Sequence, residues 1–215
     1  MKSLLSLLLV LLSVSFFVGC SEDAVEPATY TIQDVFPLSV GKQSTYHNEY
    51  YKTDGTVSSR DTVVLIVDST TTFNGMPAYA VHSYEKIIYY YSGTDAYGSF
   101  QSAPTPVLFL RYPMAANETL TLRDTTFNGG YRSKTLLRYV GDNVSVTVPA
   151  GTFSCLHYQN IGFFGEATGA LDTSSRADMY LAIGIGFIKE DGIQKSYVDS
   201  IWRPTYSSQL ASYVK

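Results

Sequence analysis

The stretch DNVSVTVPAGTFSCLHYQN, residues 142–160, reads as a strand, a reversal and a second strand. Apolar side chains recur at every second position on either side of a short interruption, the period of a pleated strand with one buried face. Pro149 has no N–H to give to a ladder, so the first strand closes at Val148. Gly151 supplies the backbone freedom of the reversal, with a positive φ expected there, and Phe153 restarts the alternation. Two strands joined so tightly pair antiparallel.

The same alternation recurs outward along the chain, at 60–68, 77–85, 87–92, 106–110, 119–124, 177–182, 186–191 and 193–202. Asp54-Gly55, Asn74-Gly75, Asn128-Gly129 and Asp191-Gly192 are turn dipeptides whose residues tolerate the positive φ of tight hairpins. The adjacent Glu190 and Asp191 accordingly read as leading into such a turn. Gly184 and Gly186 mark a bulge or a close approach of another backbone. The small, polar run at 165–175 reads as a loose loop. With 18 Tyr, 11 Phe and a single Trp, the composition is that of strands. No long helical period interrupts it. The expected fold is all-β: more than ten antiparallel strands in a strongly curved sheet or incomplete barrel, with a two-sheet β-sandwich as the alternative.

The N-terminus follows a different logic. Met1-Lys2 is followed by an apolar run, Leu4 to Val18, that contains three serines and is shorter than the roughly 20 residues a spanning helix needs. The run reads as a secretory signal over residues 1–19. Its end, "FVGC" (17–20), resembles the lipobox of bacterial lipoproteins, in which the cysteine is acylated through sulfur and becomes the new N-terminus. The resemblance implies a lipidated Cys20 with a tether over residues 20–30, followed by one β domain over 31–215. Ser21 resembles the sorting pattern for the outer membrane, and Glu22-Asp23 resembles tags that direct some lipoproteins to the cell surface. Several acyl chains, each buried methylene contributing about 0.8 kcal/mol, would hold such a protein durably.

Losing residues 1–19 removes one lysine and no acid, which takes the net charge from −4 to −5. That balance argues against nucleic acid, which calls for a basic face. The three histidines, His47, His82 and His157, are far apart and form no metal-like pair, so neither metal nor cofactor is expected. Cys155 and His157 share a strand face about 7 Å apart, but Cys155 reads as a buried small hydrophobe rather than a nucleophile. The tyrosine runs at 49–51 and 89–91 could form a sugar-stacking platform, yet neighbouring strand residues alternate faces, and tyrosines covering both faces of a sheet is the simpler reading.

FPLSVGKQSTY (36–46), VTVPAGTFSCLHY (146–158) and YLAIGIGFIKEDG (180–192) together resemble a group of uncharacterised β-rich bacterial envelope proteins. Those proteins open with aromatic-Pro-Leu-x-x-Gly-x-x-Trp-x-Tyr, carry a Val-Pro-Ala-Gly-Thr-Phe turn and finish near Gly-x-Gly-x-x-Lys. Here Ser44 stands where they commonly have the tryptophan. The resemblance implies architecture and no activity. The expected function is a non-enzymatic binding or interaction module of unknown ligand, held on the outer membrane by its acyl chains. The alternatives are a carrier of a lipid or other apolar ligand in a sheet cavity and an envelope glycan hydrolase. The partner would be an apolar ligand, a glycan or a protein.

Overall fold

The structure, a computed structural model, describes residues 30–84, 86–100 and 107–214. Cys20, read as lipidated, and residues 1–19, read as a secretory signal, lie outside the described residues. A single helical turn, α1 (Ile32–Val35), comes first. Twelve strands follow: β1 (Gln43–Tyr51), β2 (Val57–Phe73), β3 (Met76–Ser83), β4 (Lys86–Ser92), β5 (Ala96–Phe100), β6 (Val107–Arg111), β7 (Thr119–Phe127), β8 (Tyr131–Val148), β9 (Gly151–Glu166), β10 (Asp172–Ala182), β11 (Gly186–Lys195) and β12 (Trp202–Val214).

All twelve belong to one antiparallel sheet, in the order β6-β5-β4-β3-β2-β1-β12-β11-β10-β9-β8-β7, nearly closed into a barrel with one unsealed seam. The incomplete barrel is therefore the architecture, and the two-sheet sandwich is not. Each half of the chain is a meander of sequence neighbours. Among the described residues, the two halves pair strand to strand only through the pairing of β1 with β12, which sets Tyr46 against Leu210 and Asn48 against Ser208. The open seam lies between β6 and β7, the outer strands of that order.

The hairpin that opens the sequence reading is the longest in the sheet, with strands of 18 and 16 residues. β8 ends at Val148, and Gly151 begins β9 at φ +134°, a conformation that a β-branched side chain resists. Register shifts near Gly141 bend β8. The bend lays the hairpin tip against β11 and β12, where Val146, Val148 and Cys155 pack with Ala182, Ile188 and Leu210 and the Ala150 N–H donates to the Leu210 carbonyl at 3.1 Å.

Three local readings are corrected by the fold. Asp191-Gly192 is not a turn but the middle of β11, while residues 193–202, read as one strand, instead end β11, turn and begin β12. Glycine at 192 has a packing reason: a Cβ there would lie 2.2 Å from Tyr206 Cε1. The loop expected at 165–175 is shorter, since β9 runs through Gly165 to Glu166 and Asp172 opens β10. Gly184 and Gly186, at φ +79° and +99°, act as turn residues at the β10–β11 reversal. Both closely approach another element: the Gly184 N–H donates to the Asp34 carbonyl at 2.7 Å, and a Cβ on Gly186 would lie 3.3 Å from the Phe36 ring.

Strand direction sorts the turns into two ends. The α1 end carries the reversals at Asn74-Gly75, Pro149-Ala150 and 183–185. The opposite end, called the mouth here, carries those at 52–56, 128–130, 167–171 and 196–201, while the β3–β4 turn at Tyr84 points the same way but stops level with Leu65. α1 plugs its end of the barrel. Thr31 caps it, with its N–H and its hydroxyl both donating to Asp34 Oδ2 at 2.8 Å, and these bonds hold the Asp34 carboxyl below its ordinary range. Ile32 and Val35 are fully buried among Tyr97, Leu110, Leu137, Tyr158 and Leu181. Phe36 completes the plug, with its ring 5.2 Å from Tyr97, 5.6 Å from Phe109 and 5.3 Å from Phe187, each edge to face.

Candidate ligand cavity

Directly above the plug, the barrel encloses a cavity of about 210 Å³. Strand alternation builds its wall. Ser44, Tyr46 and Asn48 project inward from β1, and their cross-strand neighbours Leu65 and Val63 project inward from β2. Val67 and Val81, paired between β2 and β3, continue the apolar side to Tyr90 on β4. Phe36, Pro37 and Leu38 form the floor. On the opposite side stand Phe187 and Glu190 of β11 and Ser208 of β12.

The polar groups are few and fixed. Lys42 is 8% exposed, and its ammonium donates to the carbonyls of Pro37 at 2.9 Å and Ile185 at 2.6 Å, which ties the α1–β1 segment to the β10–β11 turn. The Tyr46 hydroxyl donates to the Phe187 carbonyl at 3.2 Å, and burial pushes its pKa well above the ordinary phenol value. Glu190 turns inward. Burial raises its carboxyl above the ordinary carboxylate value, and the 2.6 Å hydrogen bond donated by the Tyr206 hydroxyl offsets only part of that rise. The Tyr206 ring packs on Gly192, so the glycine makes room for the phenol that holds the acid.

The next residue shows what the fold does with the acidic pair. Asp191 faces outward, where it accepts from the Ser207 hydroxyl at 2.6 Å and pairs with Lys189 Nζ at 2.7 Å. Two strand-borne carboxyls on opposite faces cannot converge on one glycosidic bond.

The histidines serve the outside of the barrel. His157 Nε2 lies 2.8 Å from Asp178 Oδ1, which also accepts from Gln159 Nε2 at 2.7 Å, and the imidazole stacks on Tyr180 at 4.7 Å. His82 meets Asp68 at 3.0 Å. Cys155 shares the His157 face of β9 but is 1% exposed. Its thiol donates to the Phe153 carbonyl at 3.7 Å, and desolvation pushes its pKa up to about 11. A thiol held protonated in this way lacks the thiolate a nucleophile needs. Among the described residues, no three His, Cys, Asp or Glu side chains are placed to hold a metal ion. Of the tyrosine run, Tyr90 faces the cavity, while Tyr89 stacks on Phe73 at 4.5 Å.

Sequence reasoning missed Lys42, Glu190 and Tyr206 as neighbours of one cavity, because they come from the approach to β1 and from β11 and β12. One signal was available for the plug: Thr31 and Asp34 have capping-box spacing, which marks a helix start.

No family model and no curated protein matches the chain. Two solved structures are similar to it. One is a protein of Bacteroides fragilis, provisionally described as exported and as having a YmcC-like fold, at 16% identity and a TM-score of 0.48 over 84% of this chain and 99% of that one. The other, from Parabacteroides distasonis, is provisionally described as a lipoprotein and has the same identity and TM-score over 84% of this chain and 98% of that one.

Proposed function

We propose that this chain is a non-enzymatic binding protein of the cell envelope, anchored to the outer membrane through Cys20, that takes a small amphiphile into its barrel. The cavity carries this reading. Its walls are mostly aliphatic and aromatic, and the Ser44 and Ser208 hydroxyls and the Glu190 carboxyl are polar groups in its lining that a head group could meet. That combination of apolar lining and sparse polar atoms is typical of ligand sites, and about 210 Å³, below the usual range of about 300–1,000 Å³, calls for a small ligand. A single medium-length alkyl chain with a hydroxyl or carboxyl head fits this description.

Calorimetric titration of the purified chain with 1-octanol and with octanoate tests it. Ser44 is small and borders the cavity, so Ser44→Trp would fill the space the ligand needs. Binding should fall tenfold or more, a loss of about 1.4 kcal/mol or greater, while the melting transition is kept. Equal heats in the two proteins would place binding elsewhere and reject the reading. For the anchor, Cys20→Ala should move the exported protein from the detergent phase to the aqueous phase, since the sulfur is the point of attachment. Unchanged partitioning would reject attachment through Cys20.

A further inference from the structure

Large apolar side chains are exposed very unevenly on this barrel. Away from the mouth, among the described residues, Tyr30, Val40 and Val214 are exposed, and Tyr84 and Ile87 flank the β3–β4 turn, which stands lower on the wall, level with Leu65 and Ser44. The other seven sit at the mouth. Tyr50 is next to last in β1, and Phe127 and Tyr131 flank the β7–β8 turn. The β11–β12 reversal contributes the most open ones: Val198 is 96% exposed and Tyr197 73%, with Ile201 and Trp202 beside them. Part of this rim is continuous, since Tyr131 stacks on Phe164 at 5.6 Å and Phe164 meets the Tyr197 ring at 6.4 Å. Phe164 and Tyr131 stand on the strand faces that, nearer the plug, carry the buried Tyr158 and Leu137, so the rim continues the inner surface of the barrel.

We infer that the mouth docks on a weakly charged lipid surface, through Tyr197, Val198, Ile201 and Trp202 with the aromatic residues of the neighbouring turns. Three observations select a bilayer over a protein partner. The apolar residues lie on turn tips spread around one end of the barrel, an arrangement that a flat, deformable surface meets all at once. Tyrosine and tryptophan, with an apolar body and a polar tip, favour the membrane interface. The charges at this end nearly balance: Arg60 pairs with Glu49, Arg132 with Asp124 and Arg203 with Asp199, and Lys52 and Lys195 stand against Asp54, Glu166 and Asp172, which leaves one acid in excess. With a slight excess of acid here and a net charge of −4, nothing draws this end to anionic headgroups. The inference rests on the cavity reading for its purpose alone, as the route by which an amphiphile would pass between a bilayer and the barrel.

Trp202 is the chain's only tryptophan and sits in the rim, so its emission reports the mouth whatever the N-terminal segment does. The full chain carrying Cys20→Ala is titrated with vesicles of phosphatidylcholine and phosphatidylethanolamine, with and without brominated acyl chains. The expected result is a blue shift and bromine quenching that added salt does not reverse. The double variant Tyr197→Ser, Val198→Ser should need about tenfold more lipid or more for half-maximal quenching. Unchanged Trp202 emission while the protein sediments with the vesicles would overturn the proposal. So would a blue shift that rises with protein concentration in the absence of lipid, which would make the rim a contact between copies, or one that requires anionic lipid and disappears in salt. Octanol binding is read without vesicles, so failure of docking leaves the cavity standing, and loss of octanol binding leaves the docking result readable.

Discussion

The two ends of the barrel are built from the same strands and have opposite surfaces. At the plug end, α1 and the reversals around it bury what they carry: Ile32 and Val35 are inaccessible, and Phe36 is ringed by aromatic edges. At the mouth, turns of comparable length hold tyrosine, valine, isoleucine and tryptophan out into solvent. The strands contribute stability wherever they pair. An end contributes only where something covers it, and among the described residues one short turn, α1, covers one end alone.

That contrast can be broken most sharply at Ile32. Ile32→Ala removes a fully buried side chain from the centre of the plug and should cost about 3 kcal/mol, with the urea midpoint falling at an unchanged m-value. A loss below about 0.5 kcal/mol would mean that the plug is not part of the cooperative core. Gly165, near the mouth, tests whether that end is loose throughout. A Cβ there would sit 3.0 Å from the Ala170 carbonyl and 3.4 Å from Leu171 Cα, so Gly165→Val should cost about 2 kcal/mol. A neutral result would restore the open loop that composition alone predicts.

Cys155 lies where the long hairpin folds onto β11 and β12, and Cys155→Ala should cost on the order of 1 kcal/mol. In a Cys20→Ala background, this thiol should label slowly at neutral pH, rising to the unfolded rate in denaturant; rapid labelling of the native protein would show that the hairpin tip opens.

Glu190 should give a change of opposite sign. Burial holds its folded pKa above the unfolded one, so its contribution to stability is complete below the unfolded value of about 4.3 and is lost as pH rises through the folded value. Glu190→Gln, which cannot ionise, should lose less stability than the parent as pH rises, and the difference should level off at low pH. Denaturation curves whose separation does not change with pH would place the carboxyl in water. The smallest effect belongs to Val198→Ser, expected within about 0.5 kcal/mol of the parent because the side chain is already solvated.

How much of this was legible beforehand depends on the range of the interactions involved. The alternation around Pro149 and Gly151 identifies a reversal between two antiparallel strands, because a period of two and a missing donor act over a few residues. The same locality makes Asn74-Gly75 recognisable as a turn, with both residues at positive φ. It fails at Asp191-Gly192, where the glycine answers to Tyr206, fourteen residues away on the neighbouring strand. Nor does it name the neighbours of Gly184 and Gly186, which are Asp34 and Phe36 at the far end of the chain.

The sequence by itself therefore determined an all-β chain of many short-range antiparallel pairings. Only the tertiary structure decided that β1 meets β12, that α1 fills one end, and that Ser44, Tyr46, Glu190 and Ser208 line one space while the apolar mouth stays open. The reason is physical. Periodicity and turn chemistry are settled between adjacent residues, whereas barrel closure, burial of a carboxyl and exposure of a rim depend on which distant strands share a face, and one residue of register reverses that face.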